Sequence, residues 1–248
     1  MNEISLSWPP PFTVRASKRA RYLSLQISPR KGLEVIVPIL FVKNPRIHAF
    51  LETKRRWIER NLKFIKPVQT LPQLQERPRI ISFSALQIAF EVVYLETHHK
   101  TISIIEDNET PHLICLRGPV NDIERVFKVL KKWIKQKAEQ HLIPWLNRLS
   151  LENALPYSAV TIRSQSTLWG SCTSKKNINL NSKLLFLPPE LVRYVLLHEL
   201  CHTRYLSHGK RFWGLLAKFD SACLLHRRAL RAASLSVPIW LDNPETVC

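Results

Sequence analysis

Two hydrophobic periods, one of two residues and one of about 3.6, divide this chain into expected strands and helices. Leu23, Leu25 and Ile27 alternate with polar residues, Pro29-Arg30-Lys31-Gly32 supplies a turn, and Leu33, Val35 and Val37 alternate again, which predicts a β-hairpin. Asn44-Pro45 then marks a helix start. Ile47, Phe50, Leu51, Trp57, Ile58, Leu62 and Ile65 follow at helical spacing, with the stem of Lys54 among them. Pro67, Pro72 and Pro78 read as a linker or long loop. From Ile80 to Arg117 the texture is β, with strands expected over Leu86–Tyr94, Thr101–Ile105 and His112–Leu116.

Asn121-Asp122 caps a long helix whose buried stripe is Ile123, Phe127, Leu130, Ile134, Ala138, Leu142, Trp145 and Leu149, with a kink expected at Pro144. Val160–Arg163 and Asn177–Phe186 read as strands, and Pro189–Tyr205 and His208–Ser234 as two closing helices. The fold class is α+β. A β-rich region with one basic amphipathic helix is expected over residues 1–120, and a mostly helical domain with a small sheet over 121–248.

Charge changes the picture more than composition does. The net charge is +18, and it sits in two blocks: residues 1–66 carry 14 Lys/Arg against 4 Asp/Glu, and residues 126–248 carry 18 against 7. A field of that sign attracts nucleic acid, nucleotides or other polyanions, and the basic face of the first helix (Arg55, Arg56, Arg60, Lys63) either rests on phosphates or is simply solvated. No apolar run reaches the roughly 18 residues that span a bilayer. The N-terminal stretch, with Glu3 and Pro9-Pro10-Pro11, is unlike a signal peptide. Five scattered cysteines with no CxxC pair fit free thiols in a reducing compartment, so a cytoplasmic location is expected.

One segment carries chemistry. In His198-Glu199-Leu200-Cys201-His202 the two histidines lie four apart on an expected helix, one above the other, so both imidazoles face one point. Glu199 sits about 100° further round, beside a chelated cation rather than on it, where it can take a proton from water. Neutral imidazoles suit zinc, and three protein ligands leave a fourth position open. The third ligand is His208, at the offset found in metzincins, although Tyr205 stands where metzincins have a glycine and Met1 is the only methionine. Asp220, the only acidic residue between His208 and Asp242, is the rival ligand. The first helix is expected to end near Leu206, with Ser207 capping the next and Phe212, Leu215, Leu216 and Phe219 anchoring it.

Leu168-Trp169-Gly170-Ser171-Cys172, Asn177-Ile178-Asn179-Leu180-Asn181, Leu187-Pro188-Pro189-Glu190, the His198–His202 motif, and His208 with Phe212-Trp213 follow in order. Together they resemble the YgjP-like metal-dependent hydrolases, relatives of the SprT-like and WLM small zincins. The resemblance is strongest over residues 160–220 and extends more weakly to Arg19–Val37 and to Arg55-Arg56-Trp57-Ile58. It implies a zincin core with His198, His202 and His208 as ligands of one zinc ion and Glu199 as base. It also implies that the Trp169–Cys172 loop and the Asn177–Asn181 strand border the cleft. Leu168 departs from the basic residue usual before Trp-Gly-Ser-Cys. Read without the resemblance, that loop is equally a structural hairpin in which Gly170 turns and Trp169 fills core.

Two activities are compatible with the site: a metallopeptidase with a peptide laid along the cleft strand, and a hydrolase of nucleotides or other phosphate esters, favoured by the charge. Trp169, Arg163 and Tyr205 are the candidate substrate contacts, and Tyr205, Arg204 and Arg163 the candidates for a second transition-state donor.

Overall fold

Strand β3 (Gly32–Pro38) buries Leu33, Val35 and Val37 and organises the first of two units. In a computed structural model that describes residues 8–18, 20–28, 32–39, 46–62, 76–107, 109–165 and 168–242, the chain divides into Met1–Pro72 and Gln73–Cys248. In the first unit β2 (Ser24–Ser28) pairs antiparallel with β3, with Ser28 opposite Gly32, which is the expected hairpin; its turn lies outside the described residues. A strand that alternation did not reveal, β1 (Phe12–Ser17), pairs parallel with β3 on the other side. Most of its residues are exposed, so it has no apolar period to read. Ile47, Leu51 and Ile58 complete this core. The helix expected here is two, α1 (Ile47–Thr53) and α2 (Arg55–Leu62), separated by a turn at Lys54; the Asn44-Pro45 cap lies outside the described residues.

The second unit, Gln73–Cys248, holds the rest of the chain. The sheet of β4 (Ile80–Phe83), β5 (Ile88–Glu96), β6 (Ser103–Glu106) and β7 (Leu113–Gly118) shares one core with the helices that follow. Its strand order is β4-β5-β7-β6, with β5 and β7 parallel and the outer pairs antiparallel. Gly118 ends β7 at φ 140°, where an added Cβ would lie 2.5 Å from the Thr101 carbonyl oxygen, so no other residue fits.

Asp122 caps α3 (Ile123–Glu152) by accepting from the Arg125 N–H, as the sequence predicts. The helix runs through Pro144 to Glu152. Its buried face is wider than the expected stripe: Val126, Trp133 and Leu146 are buried as well, and Ile123 and Trp145 only partly. Phe83 from β4 meets Phe90 of β5, Trp133 of α3 and Phe186 with ring centroids 5.4–5.7 Å apart, which ties the sheet, the long helix and the approach to the last helices together.

A second sheet, in order β8-β10-β9, joins β8 (Ala159–Arg163) parallel to β10 (Asn177–Asn181), and β10 antiparallel to β9 (Gly170–Cys172). The strand expected to continue to Phe186 stops at Asn181. The Asn181 Oδ1 accepts from the Lys183 N–H and turns the chain into a 3-10 helix over Ser182–Phe186. Leu184–Leu187 are all buried, an apolar run that mimics a core strand in sequence. Pro189 then opens α4 (Pro189–His202), followed by α5 (Lys210–Phe219) and α6 (Cys223–Ala232). The last two were expected as one helix; buried Asp220 divides them, its carboxylate accepting from the Ala222 N–H and restarting the chain as α6. No helix among the described residues is long and apolar enough to cross a membrane.

Glu106 ties β6 to α3: its carboxylate accepts from Lys137 Nζ at 2.6 Å and Trp133 Nε1 at 2.9 Å. Burial raises its pKa, but these hydrogen bonds and the Lys137 charge outweigh that and hold it below the ordinary carboxylate value. A lowered folded-state pKa contributes stability above the unfolded value, lost as pH falls through the folded one. Glu106→Gln is therefore expected to cost about 0.5–1 kcal/mol at neutral pH, the range for a partly solvated pair. The gap from wild type, read from urea midpoints, should close below the ordinary glutamate range; a gap independent of pH would assign the effect to packing.

Candidate metal centre

Helix α4 delivers His198, Glu199 and His202, and it can do so because it stops on time. Thr203 closes the helix with its N–H and Oγ1 both on the Leu200 carbonyl, and Tyr205 N–H donates to the Cys201 carbonyl. The turn thus closes without a glycine, and the helix ends at His202, four residues before the expected end near Leu206. The next helix is capped by Gly209 rather than Ser207, which leaves His208 in the connecting segment, exposed and directed back at α4.

The three imidazoles converge. His198 Nε2 lies 3.2 Å from His202 Nε2 and 3.0 Å from His208 Nε2. Tetrahedral ligation at 2.0–2.1 Å sets ligand nitrogens about 3.3 Å apart, so the cluster is already near the size a small divalent cation requires. His202 Nδ1 is 3.0 Å from the Tyr205 carbonyl, which can only accept; Nδ1 therefore carries the proton and Nε2 presents its lone pair inward. Burial, then the neighbouring His202, His208 and Arg227, pushes His198 down to about 3, so it is neutral at physiological pH. His202 is lowered for the first of those reasons too, partly offset by its hydrogen bond to Tyr205. Beneath the cluster, fully buried Phe212 sets its ring centroid 4.6–4.9 Å from all three imidazoles, and Trp213 stacks on His208 at 5.8 Å.

Glu199 does not join the cluster of ligand atoms. It is 5% exposed and lies against Gly170 of β9, so closely that an added Cβ there would be 2.7 Å from Glu199 Oε1. Burial pushes its carboxyl up to about 8. Glu199 Oε2 and His198 Nδ1 are both buried with no hydrogen-bond partner among the described residues; Nδ1 lies on the side of its ring away from the cluster, whereas the carboxyl belongs to the residue next to His198. Three converging imidazole nitrogens, a carboxyl raised by burial, and its unpartnered Oε2 fit a divalent cation. His198, His202 and His208 could hold it.

The other sequence candidates divide. Trp169 is partly buried against the core, and its carbonyl accepts from the Asn181 N–H. The side-chain amide of Asn181 holds the carbonyls of Gln165 and Leu168, fixing the approach to β9. Tyr205 acts at the site through its carbonyl on His202. Arg163 is spent elsewhere: its Nε donates to Asn179 Oδ1 at 2.7 Å, and Asn179 in turn donates to Ser171 Oγ. Strand alternation puts Ser171 on the face opposite Gly170 and Cys172, so this network runs along the side of the sheet away from Glu199. Asp220, the rival ligand, holds His226 Nδ1 at 2.8 Å. Burial raises the Cys172 thiol to about 11, with Glu199 adding to the effect, which keeps it protonated and unfit as a nucleophile.

Two contributors escaped sequence reading. By sequence alone Gly170 reads as a turn residue or as part of a cleft-bordering loop; its missing side chain makes room for the Glu199 carboxyl. Phe212 was assigned to helix anchoring, whereas its ring is the floor of the cluster. Only the place of both beside the motif, one in Trp169–Cys172 and one four residues after His208, could have pointed to them.

No curated protein matches the chain. The family description of the YgjP-like metallopeptidase domain matches residues 21–233, from β2's approach to the end of α6, with all three histidines and Glu199 inside it. With most of its length covered, the chain belongs to the YgjP-like family and carries that family's metallopeptidase domain.

Proposed function

We propose that this protein is a zinc-dependent peptidase in which His198, His202 and His208 hold one metal ion and Glu199 is the general base. The observation that carries the reading is the convergence of three imidazole Nε2 atoms beside a carboxyl seated on an edge strand. A divalent cation held there supplies Lewis acidity, which makes water a nucleophile near neutral pH and polarises a carbonyl. Glu199, raised by desolvation, would ionise more readily beside a divalent charge held by the three histidines. Glu199 then accepts the proton of the attacking water and returns it to the leaving amine. Gly170 lets the carboxyl rest where both transfers are in reach.

The sheet favours a peptide over a phosphate ester as substrate. Strand β9 pairs only with β10 among the described residues, and its core-facing residues flank Glu199. An extended peptide adding to its free edge would pass the base with its backbone amides hydrogen-bonded. The nucleotide alternative rests on net charge alone. Cytoplasmic location and contact of the basic surface with nucleic acid remain part of this proposal and rest on composition.

Two outcomes test the assignment of roles. Glu199→Gln should keep its zinc and lose at least about 100-fold in peptide hydrolysis, whereas His198→Ala should lose both; an active Gln variant would remove Glu199 from the mechanism. Gly170→Ala probes the seat: the three atoms nearest the new methyl all belong to the Glu199 side chain and not to backbone, so the variant should fold and bind zinc. Its kcat should drop by about 100-fold, the scale of a 1 Å misplacement. Unchanged kcat would mean that the base does not use this position.

A further inference from the structure

Arg227, on α6, reaches the imidazole cluster through one aromatic ring and has no carboxylate partner among the described residues. Its guanidinium carbon sits 4.7 Å from the Trp213 ring centroid, and that ring is 5.8 Å from His208 and 6.2 Å from His198. The position is fixed from several sides. Asp220 takes both the Ala222 N–H and His226 Nδ1, which locks the first turn of α6 immediately before Arg227. Tyr194 bridges the two helices, its ring 5.8 Å from His198 and 6.1 Å from His226. Arg193 Nη1 donates to the Phe219 carbonyl and ties the end of α5 to α4.

A guanidinium laid on an aromatic ring keeps its edge donors available, and that fork matches a carboxylate. Two alternatives fit less well. A residue that stabilises the developing oxyanion must lie about 3 Å from the reacting oxygen. Arg227 is exposed and one indole removed from the imidazoles, closer to where a neighbouring part of the substrate would lie. A purely structural arginine would be expected to have found an anionic partner.

We propose that Arg227, held on Trp213, recognises a carboxylate of the peptide substrate close to the scissile bond. This inference rests on the peptidase reading above. The carboxylate has two sources, the C-terminus of a short peptide or an Asp/Glu side chain, and the probes separate them. Three short peptides carrying an N-terminal-side hydroxamate would be titrated calorimetrically into zinc-loaded protein. One ends in a free carboxylate, one in an amide, and one in an amide with glutamate as the last residue.

The expected result is that one or both carboxylate forms bind about 10-fold tighter than the plain amide, the scale of a hydrogen-bonded charge pair. In Arg227→Met that ratio should fall to about one. It should persist in Arg228→Met, which removes an equal charge from the neighbouring exposed position and so controls for the general basic field. Whichever carboxylate form gains identifies the source. Equal binding of all three forms by wild type, or a preference that survives Arg227→Met, would overturn the assignment of Arg227 and leave the metal centre standing. Failure of every hydroxamate to bind would overturn the metallopeptidase reading, and this inference with it.

Discussion

Everything at the centre depends on where α4 ends. Residues four apart on a helix bring His198 and His202 together at no cost, but a third imidazole reaches them only if the chain reverses at once. The Thr203 and Tyr205 hydrogen bonds onto Leu200 and Cys201 enforce that reversal, and the same turn hands the Tyr205 carbonyl to His202 Nδ1. One local event thus places His208 and selects the His202 tautomer. Phe212, buried at the start of α5, then prevents the three rings from collapsing into the core.

The electrostatics follow from that dry setting. Burial raises Glu199 and lowers His198, so both groups are pushed toward neutrality where no cation balances them. The same surroundings would become favourable with a divalent charge present, for which the imidazoles would serve as ligands in the proposed centre and the Glu199 carboxylate as neighbour. A site of this kind binds its metal at the cost of its own stability without it. The unpartnered, buried Glu199 Oε2 is the local sign of that trade.

Much of this was legible in the sequence, for reasons that can be named. The i,i+4 histidines on an apolar helix, the Asp122 cap, and the alternation of β2 and β3 are local signals, each written within a few residues. What escaped reading was set by contacts distant in sequence or by a single polar side chain inside an apolar context. Asn181 converts an apparent strand into a 3-10 turn, and Asp220 divides an apparent helix. The sheet of β4–β7 belongs with the helices because Phe83 and Phe90 stack around Trp133, a long-range contact that composition cannot show. Gly170 looked like a turn residue because nothing local says that a carboxyl from α4 will occupy the space beside it. Arg163, a candidate substrate contact in the sequence, donates to Asn179 on the face of the sheet that carries Ser171, a partner that only the strand register reveals.

The most direct test of the account is the metal itself. Elemental analysis of protein purified without an affinity tag, beside its His208→Ala variant, should give about one zinc per chain in the wild type, lost or strongly weakened in the variant. No metal in the wild type even after reloading, or full occupancy without His208, would contradict the three-histidine centre on which the rest stands.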